Sequence, residues 1–171
     1  MTDGQLEGRR ALVTGADGGI GRAIVETLSS AGAAVAAADI QIEGINCAAS
    51  LPGDLTDPAY CDGLPEQAKR ILGGLDIVVN NAGIIRRGPV TEATDDDYRQ
   101  SFTVNVEAPF RICRAAIPLL AESKAAVIVN IASCWGLRPG PDHPLYCMTK
   151  AALATMTQCL GHDHALSLIH I

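Results

Sequence analysis

The sequence predicts an α/β fold in three αβα layers, with a doubly wound parallel sheet covered by helices on both faces. Three observations predict it. The apolar run Arg10-Ala11-Leu12-Val13-Thr14 passes directly into the glycine-rich turn Gly15-Ala16-Asp17-Gly18-Gly19-Ile20-Gly21, and that turn into a helical pattern. Asp76-Ile77-Val78-Val79-Asn80 and Ala126-Val127-Ile128-Val129-Asn130-Ile131 are apolar runs without polar alternation, as in strands buried on both faces. Such strands alternate with helical stretches, and right-handed crossovers between parallel strands produce a doubly wound sheet.

Taken in order, Ile20, Ala23, Ile24, Thr27 and Leu28 recur at helical spacing after the glycine turn, and Gly32 is a natural stop. A second small apolar run from Ala33 to Ala38 ends at Asp39. A long helical stretch is expected from Asp95 to Ser123, with Phe102, Val106, Phe110, Cys113 and Ile117 on or near one face. The last helix is expected to begin around His143 to Tyr146 and to run past Met156. With 171 residues and no internal repeat or low-complexity linker, one domain is expected, spanning residues 1–165.

Composition narrows the function classes. Hydrophobic residues make up 48% of the chain, enough for a substantial core, and the formal charge is -6. No basic stripe is present, which argues against a nucleic-acid or anionic-membrane surface. No apolar stretch approaches a membrane span, and Met1 to Gln5 lacks the pattern of a signal peptide, so a soluble cytoplasmic protein is expected. The six cysteines are scattered and read as free thiols. Cys134 and Cys147 each follow a candidate site residue, but no histidine stands where it would activate a nucleophile. His162 and His164 flank Asp163 and read as a solvated helix end, with no metal expected.

The first half of the chain has the features of a nucleotide site. Gly15, Gly18, Gly19 and Gly21 let backbone approach a pyrophosphate, and the following helix directs its positive N-terminus at it. Asp39 lies eighteen residues after Gly21, where a carboxylate can accept from ribose hydroxyls. It would repel a 2′-phosphate, and Ile40 follows it instead of an arginine, so NAD is favoured over NADP. Asn80-Asn81-Ala82-Gly83 opens a loop at the same carboxyl edge of the sheet, outside which ligands bind.

The second half supplies acid–base groups. Tyr146 and Lys150 are four residues apart and share a helix face. A free phenol titrates at about pH 10, and a neighbouring ammonium favours its ionised form. Ser133, thirteen residues before Tyr146, follows an apolar strand at the edge where a cofactor would lie.

These motifs resemble the short-chain dehydrogenase/reductase family, in their order and spacing, from about Leu6 to Ala165. The matching residues are the turn Thr14 to Gly21, Asp54-Leu55, Asn80-Asn81-Ala82-Gly83, Asn105, Ser133 and Tyr146-Cys147-Met148-Thr149-Lys150. The resemblance implies a Rossmann fold and NAD-dependent interconversion of a secondary alcohol and a ketone. Tyr146 would be the general acid/base, Lys150 would tune it and bind the nicotinamide ribose, and Ser133 would orient the substrate oxygen. Asn105 would hold a water linking Lys150 to solvent. Asp17 and Ile20 would join the glycines around the phosphates, Asp54 and Leu55 would contact adenine, and Asn81, Ala82 and Gly83 would border the cofactor. A 3-oxoacyl-thioester reductase is the alternative within this chemistry, and an inactive nucleotide-binding fragment is the alternative outside it. Substrate contacts are sought among Arg86, Arg87, Trp135, Arg138 and His143. A homotetramer or homodimer is implied for the full-length form.

Two departures from the family pattern are visible. Asp54 follows Asp39 by fifteen positions, too few for the usual helix between the second and third strands. The family's last strands and helix are also missing, so this chain is expected to be poorly active, with Ala126 to Ile131 as an exposed edge. Leu166 to Ile171 resembles the in-frame translation of a transposase adapter, and residues 166–171 are expected to be a non-native tail.

Overall fold

In the computed structural model, which describes residues 4–165 and 169–170, six parallel strands form one sheet. β1 (Arg10–Thr14) lies at its centre, flanked on one side by β2 (Ala34–Asp39) and β3 (Ala49–Pro52). On the other side lie β4 (Ile77–Asn80), β5 (Ala126–Asn130) and β6 (Ile169–His170). The spatial order β3-β2-β1-β4-β5-β6 reverses the direction of winding between β1 and β4. That reversal opens a crevice at the carboxyl ends of the two strands.

Alternate residues of each central strand feed two separate cores, one on each face. Leu12, Ala36, Val78 and Ile128 enter the first core, together with Cys61, Leu64 and Ala68 of α2 (Pro58–Leu72). Ile112, Cys113, Ala116 and Leu120 of α4 (Ala108–Leu120) fill the same layer, and Met156 and Leu160 of α5 (Pro144–Asp163) border it. Ala11, Val13, Val35, Ala37, Ile77 and Val79 enter the second core beneath Val25 of α1 (Gly19–Ser30). The predicted three layers are present.

The structure also revises several details. α2 lies outside the sequence-based expectation, although its start is signposted. Asp57 accepts from Ala59 N at 2.8 Å as the cap, and Pro58 occupies the first turn, where its missing N–H costs nothing. The long helix is interrupted: α3 (Asp95–Phe102) gives way to a π turn, Thr103–Glu107, before α4 begins. The inserted residue rotates the following helix, so Ile112, Cys113, Ala116 and Leu120 face the core while Phe110 is left 49% exposed.

β5 is not buried on both faces, because Val129 is 40% exposed. Its edge is partly paired: Ala126 and Val127 stand in parallel register with Ile169 and His170, where a bare edge was expected. The structure gives no description of residues 1–3, 166–168 and 171, so most of the predicted tail and the N-terminal reading lie outside the described residues. Between β2 and β3 no helix forms. Ile42, Ile45 and Cys47 of that irregular segment pack on the second core instead.

One ion pair ties the sheet together at the end opposite the crevice. Asp76 accepts from Arg10 Nε at 2.7 Å, Arg10 Nη2 at 3.0 Å, Arg10 N at 3.0 Å and Ser123 Oγ at 2.6 Å. Burial pushes the Asp76 carboxyl up, but the hydrogen bonds from Arg10 and Ser123 outweigh it and hold the group below its ordinary value. The Arg10 side chain is 31% exposed and keeps a bond to Gly73 O, so the loss is chiefly that of the charged hydrogen bonds. Asp76→Ala is therefore expected to lower unfolding free energy by roughly 2 kcal/mol in urea titrations. A carboxyl whose folded pKa is depressed stabilises above its unfolded value and loses that contribution as pH falls through the folded value. The wild-type advantage over Asp76→Ala should accordingly vanish in strongly acidic solution, and an advantage independent of pH would contradict this assignment.

Candidate active site

The crevice is held at its base by side chain–backbone bonds between β1 and the segment leaving β4. Thr14, buried at the end of β1, accepts through Oγ1 from Asn81 N at 3.2 Å and Ala82 N at 3.3 Å. In return, Asn81 Nδ2 donates to Thr14 O at 3.1 Å and Gly15 O at 3.0 Å. The approach is close enough to require glycine at position 15. Gly15 has φ +63°, and a β-carbon there would lie 2.7 Å from Ala82 Cα. A β-carbon on Gly21 would overlap the Gly15 carbonyl oxygen, so the first turn of α1 also packs directly on the loop. The Thr14 hydroxyl went unassigned in the sequence, where threonine at a strand end has no distinctive spacing.

Above this base runs an open cleft of about 820 Å³. Gly15, Gly18, Gly19, Ile20, Gly21, Asp39, Asp54, Leu55, Asn81, Ala82 and Gly83 all line it. The N-terminus of α1 is capped by Gly18 without a side-chain hydrogen bond, leaving donors of its first turn for an anion. At one end, Asp39 accepts from Asp17 N at 2.9 Å through Oδ2 and from Ile40 N at 2.7 Å through Oδ1. An ionised carboxylate has about four acceptor sites, so each oxygen can still receive a hydroxyl.

Asp17 is the exception among the turn residues expected around the phosphates. Its carboxylate pairs with Arg22, which also donates to Glu43 O at 2.7 Å, and it is not among the residues lining the cleft. It braces the glycine turn against the irregular segment after β2 while its backbone N–H holds Asp39.

Elsewhere in the cleft wall, Gly83 meets Lys150 and Asn105. A β-carbon on Gly83 would stand 3.3 Å from both Lys150 Nζ and Asn105 Oδ1. Lys150 is 3% exposed and donates from Nζ to Ile131 O at 2.6 Å. Burial pushes its ammonium below the ordinary lysine value. The ammonium lies 5.8 Å from the centre of the Tyr146 ring.

Ser133 caps the short 3-10 turn Cys134–Gly136, accepting from Trp135 N at 3.2 Å. Its hydroxyl proton is therefore available to an oxygen in the site. That turn packs against the helix, since a β-carbon on Gly136 would lie 2.7 Å from the Lys150 carbonyl carbon. Trp135 meets the Tyr146 ring edge-on at 6.2 Å and His143 at 4.3 Å.

The side chain of Asn105 makes three hydrogen bonds to protein. Oδ1 accepts from Ile84 N at 2.8 Å, while Nδ2 donates to Ile84 O at 2.9 Å and Thr149 Oγ1 at 3.0 Å. Both amide protons are thus used, while Oδ1 keeps one acceptor site beside the Ile84 N–H. Of the arginines considered for substrate, Arg86 lines the cleft but pairs with Asp97 at 3.3 Å and donates to Gln100.

The donor set suits a nucleotide: a glycine-lined cleft carries the Asp39 carboxylate, and buried Lys150 stands behind Gly83 in its wall. All six cysteines are free thiols. No described helix is long and apolar enough to cross a membrane.

Known proteins share this architecture. L-xylulose reductase from Bos taurus is 39% identical over 167 residues, covering 93% of this chain and 67% of that protein. Sorbitol dehydrogenase from Cereibacter sphaeroides is 36% identical over 166 residues, covering 92% and 65% respectively. A crystal structure of a short chain dehydrogenase from Mycobacterium smegmatis superposes with a TM-score of 0.90 at 28% identity, covering 98% of this chain and 76% of that one. The chain thus spans about two thirds of the length of these curated relatives. The family model for short chain dehydrogenase matches residues 9–171, and the chain belongs to that family.

Proposed function

We propose that the protein is an NAD-dependent oxidoreductase that interconverts a secondary alcohol and a ketone in the cytoplasm. The observation that carries this reading is the position of Gly83. It lines the same cleft as Asp39 and backs directly onto Lys150 and Asn105, so an elongated ligand running from Asp39 to Gly83 would come up against Lys150. When bound, the nicotinamide would supply or accept the hydride.

The chain's own residues would do the rest. The cleft-lining backbone of Gly15, Gly18, Gly19, Ile20 and Gly21 would hold the phosphates, Asp39 the adenosine ribose, and Asp54 and Leu55 the adenine. Asn81, Ala82 and Gly83 would form the floor, and Lys150 would turn from Ile131 O to the nicotinamide ribose. Ser133 would donate to the substrate oxygen. Tyr146 would protonate that oxygen in reduction and accept its proton in oxidation. Asp17 would act through Arg22 and Asp39 and not by direct contact. The names of the relatives make polyols and ketoses the first substrates to test, and a homotetramer or homodimer is the assembly the family suggests.

Two predictions separate the parts of this reading. Tyr146→Phe should abolish NAD-linked turnover, by at least about a hundredfold, the usual weight of a general acid/base, while leaving NADH affinity unchanged in fluorescence titration. Retained turnover would remove Tyr146 from the role, and wild-type binding without turnover on any alcohol would leave the chain as a nucleotide-binding unit. Cofactor choice rests on charge. Asp39 and Asp54 both line the cleft where the adenosine would lie, and Arg22 is committed to Asp17 and Glu43 O. NADH should therefore bind at least about tenfold more tightly than NADPH, because like charges in contact cost several kcal/mol. Asp39→Ser should narrow the ratio. Equal affinity in the wild type would contradict the preference for NAD.

A further inference from the structure

We propose that Thr149 is a positioning residue: its hydroxyl locks the helix bearing Tyr146 and Lys150 to the cofactor-side loop through Asn105. This inference rests on the functional reading above for its purpose, but its geometry is independent of that reading.

The link begins at Ile84, the residue after the cleft floor. Both of its backbone groups are taken by one side chain, with Ile84 N–H donating to Asn105 Oδ1 at 2.8 Å and Ile84 O accepting from Asn105 Nδ2 at 2.9 Å. The Ile84 amide needs an acceptor, and this fixes which way the Asn105 amide is turned. Its nitrogen must then face α5, where it donates its second proton to Thr149 Oγ1 at 3.0 Å. Thr149 is fully buried, so no water competes for that bond.

The hydroxyl has one proton, and it goes to Tyr146 O at 2.9 Å, one turn back along the helix. The result is a continuous path from the backbone of Ile84, through Asn105 and Thr149, to the backbone of Tyr146. The π turn Thr103–Glu107 is what admits Asn105 to it. Within that turn only Asn105 is buried, at 1% exposure, while its neighbours are half-buried. An extra residue in the helix thus aims one amide into the gap between loop and helix.

Function requires this gap to be constant. Lys150 Nζ and Asn105 Oδ1 both lie against Gly83, so a shift of the loop relative to α5 changes the separation between cleft floor and ammonium. Displacements of about 1 Å in a positioned site can cost a hundredfold in rate. A valine at 149 would keep the shape and remove both bonds, stranding a buried Asn105 donor. A serine would keep the bonds and lose only a methyl group.

The test uses the whole chain carrying Thr149→Val or Thr149→Ser, with two readouts. Amide hydrogen exchange at Ile84 should accelerate about tenfold in Thr149→Val, the factor expected for one lost hydrogen bond, with Thr149→Ser near wild type. The fluorescence maximum and affinity of bound NADH should shift in the valine variant and return in the serine variant. Unchanged exchange at Ile84 in Thr149→Val, or failure of serine to restore it, would overturn the proposal. If wild type binds no NADH, the cofactor reading fails while the exchange result still decides whether the link exists. Unfolding of Thr149→Val is detected by exchange throughout the sheet, and Thr149→Ser compared with Thr149→Ala then decides on the same Ile84 signal.

Discussion

The bonds between Thr14 and Asn81 are the constraint on which the rest of this molecule depends. β1 and β4 are neighbours in the sheet but sixty-odd residues apart in the chain, and nothing local fixes how their carboxyl ends meet. The Thr14 hydroxyl and the Asn81 amide do so with four hydrogen bonds to backbone groups at the two strand ends. Once they are made, the glycine turn must pass within van der Waals distance of Ala82, and only a residue without a β-carbon fits at Gly15. The shape of the cleft follows from that contact.

A second consequence is the burial of polar groups at the far end of the cleft. Lys150 and Asn105 are both almost fully enclosed, and each is paid for by hydrogen bonds to backbone carbonyls or hydroxyls rather than by an opposite charge. Burial disfavours the Lys150 ammonium, a cost that packing alone would never select. A fold seeking only stability would place an apolar side chain there. Polar groups held in this way, beside an open cleft and on rigid elements, are the physical signature of a site organised in advance of its ligand.

Much of this was legible in the sequence, for identifiable reasons. Buried parallel strands need continuous apolar runs, and close approach of backbone to backbone needs glycine, so β1, β4 and the turn between Thr14 and Gly21 stand out at once. The cleft-lining residues follow from them because they sit at strand ends. What stayed hidden depends on tertiary partners. Thr14 and Thr149 act through single hydroxyls whose bonding partners are distant in the chain, and no spacing reveals such a pair. The π turn at Thr103–Glu107 is invisible to a helical period of 3.6, and Phe110, expected on or near one face with Cys113, stands exposed while Cys113 is buried. Asp17 sits in the glycine turn yet faces Arg22, since a carboxylate follows the nearest guanidinium rather than the motif. The pairing of β5 with Ile169 and His170 depends on backbone groups that every sequence possesses.

The central claim is that one ligand spans the crevice from Asp39 to Lys150. Hydrogen–deuterium exchange of the whole chain with and without NADH tests it most directly. The account predicts protection in the turn from Gly15 to Gly21, at Asp39 and Ile40, and from Asn81 to Ile84, with the outer face of α4 unchanged. Protection confined to any other surface, or binding of NADH that leaves the glycine turn exchanging freely, would contradict it.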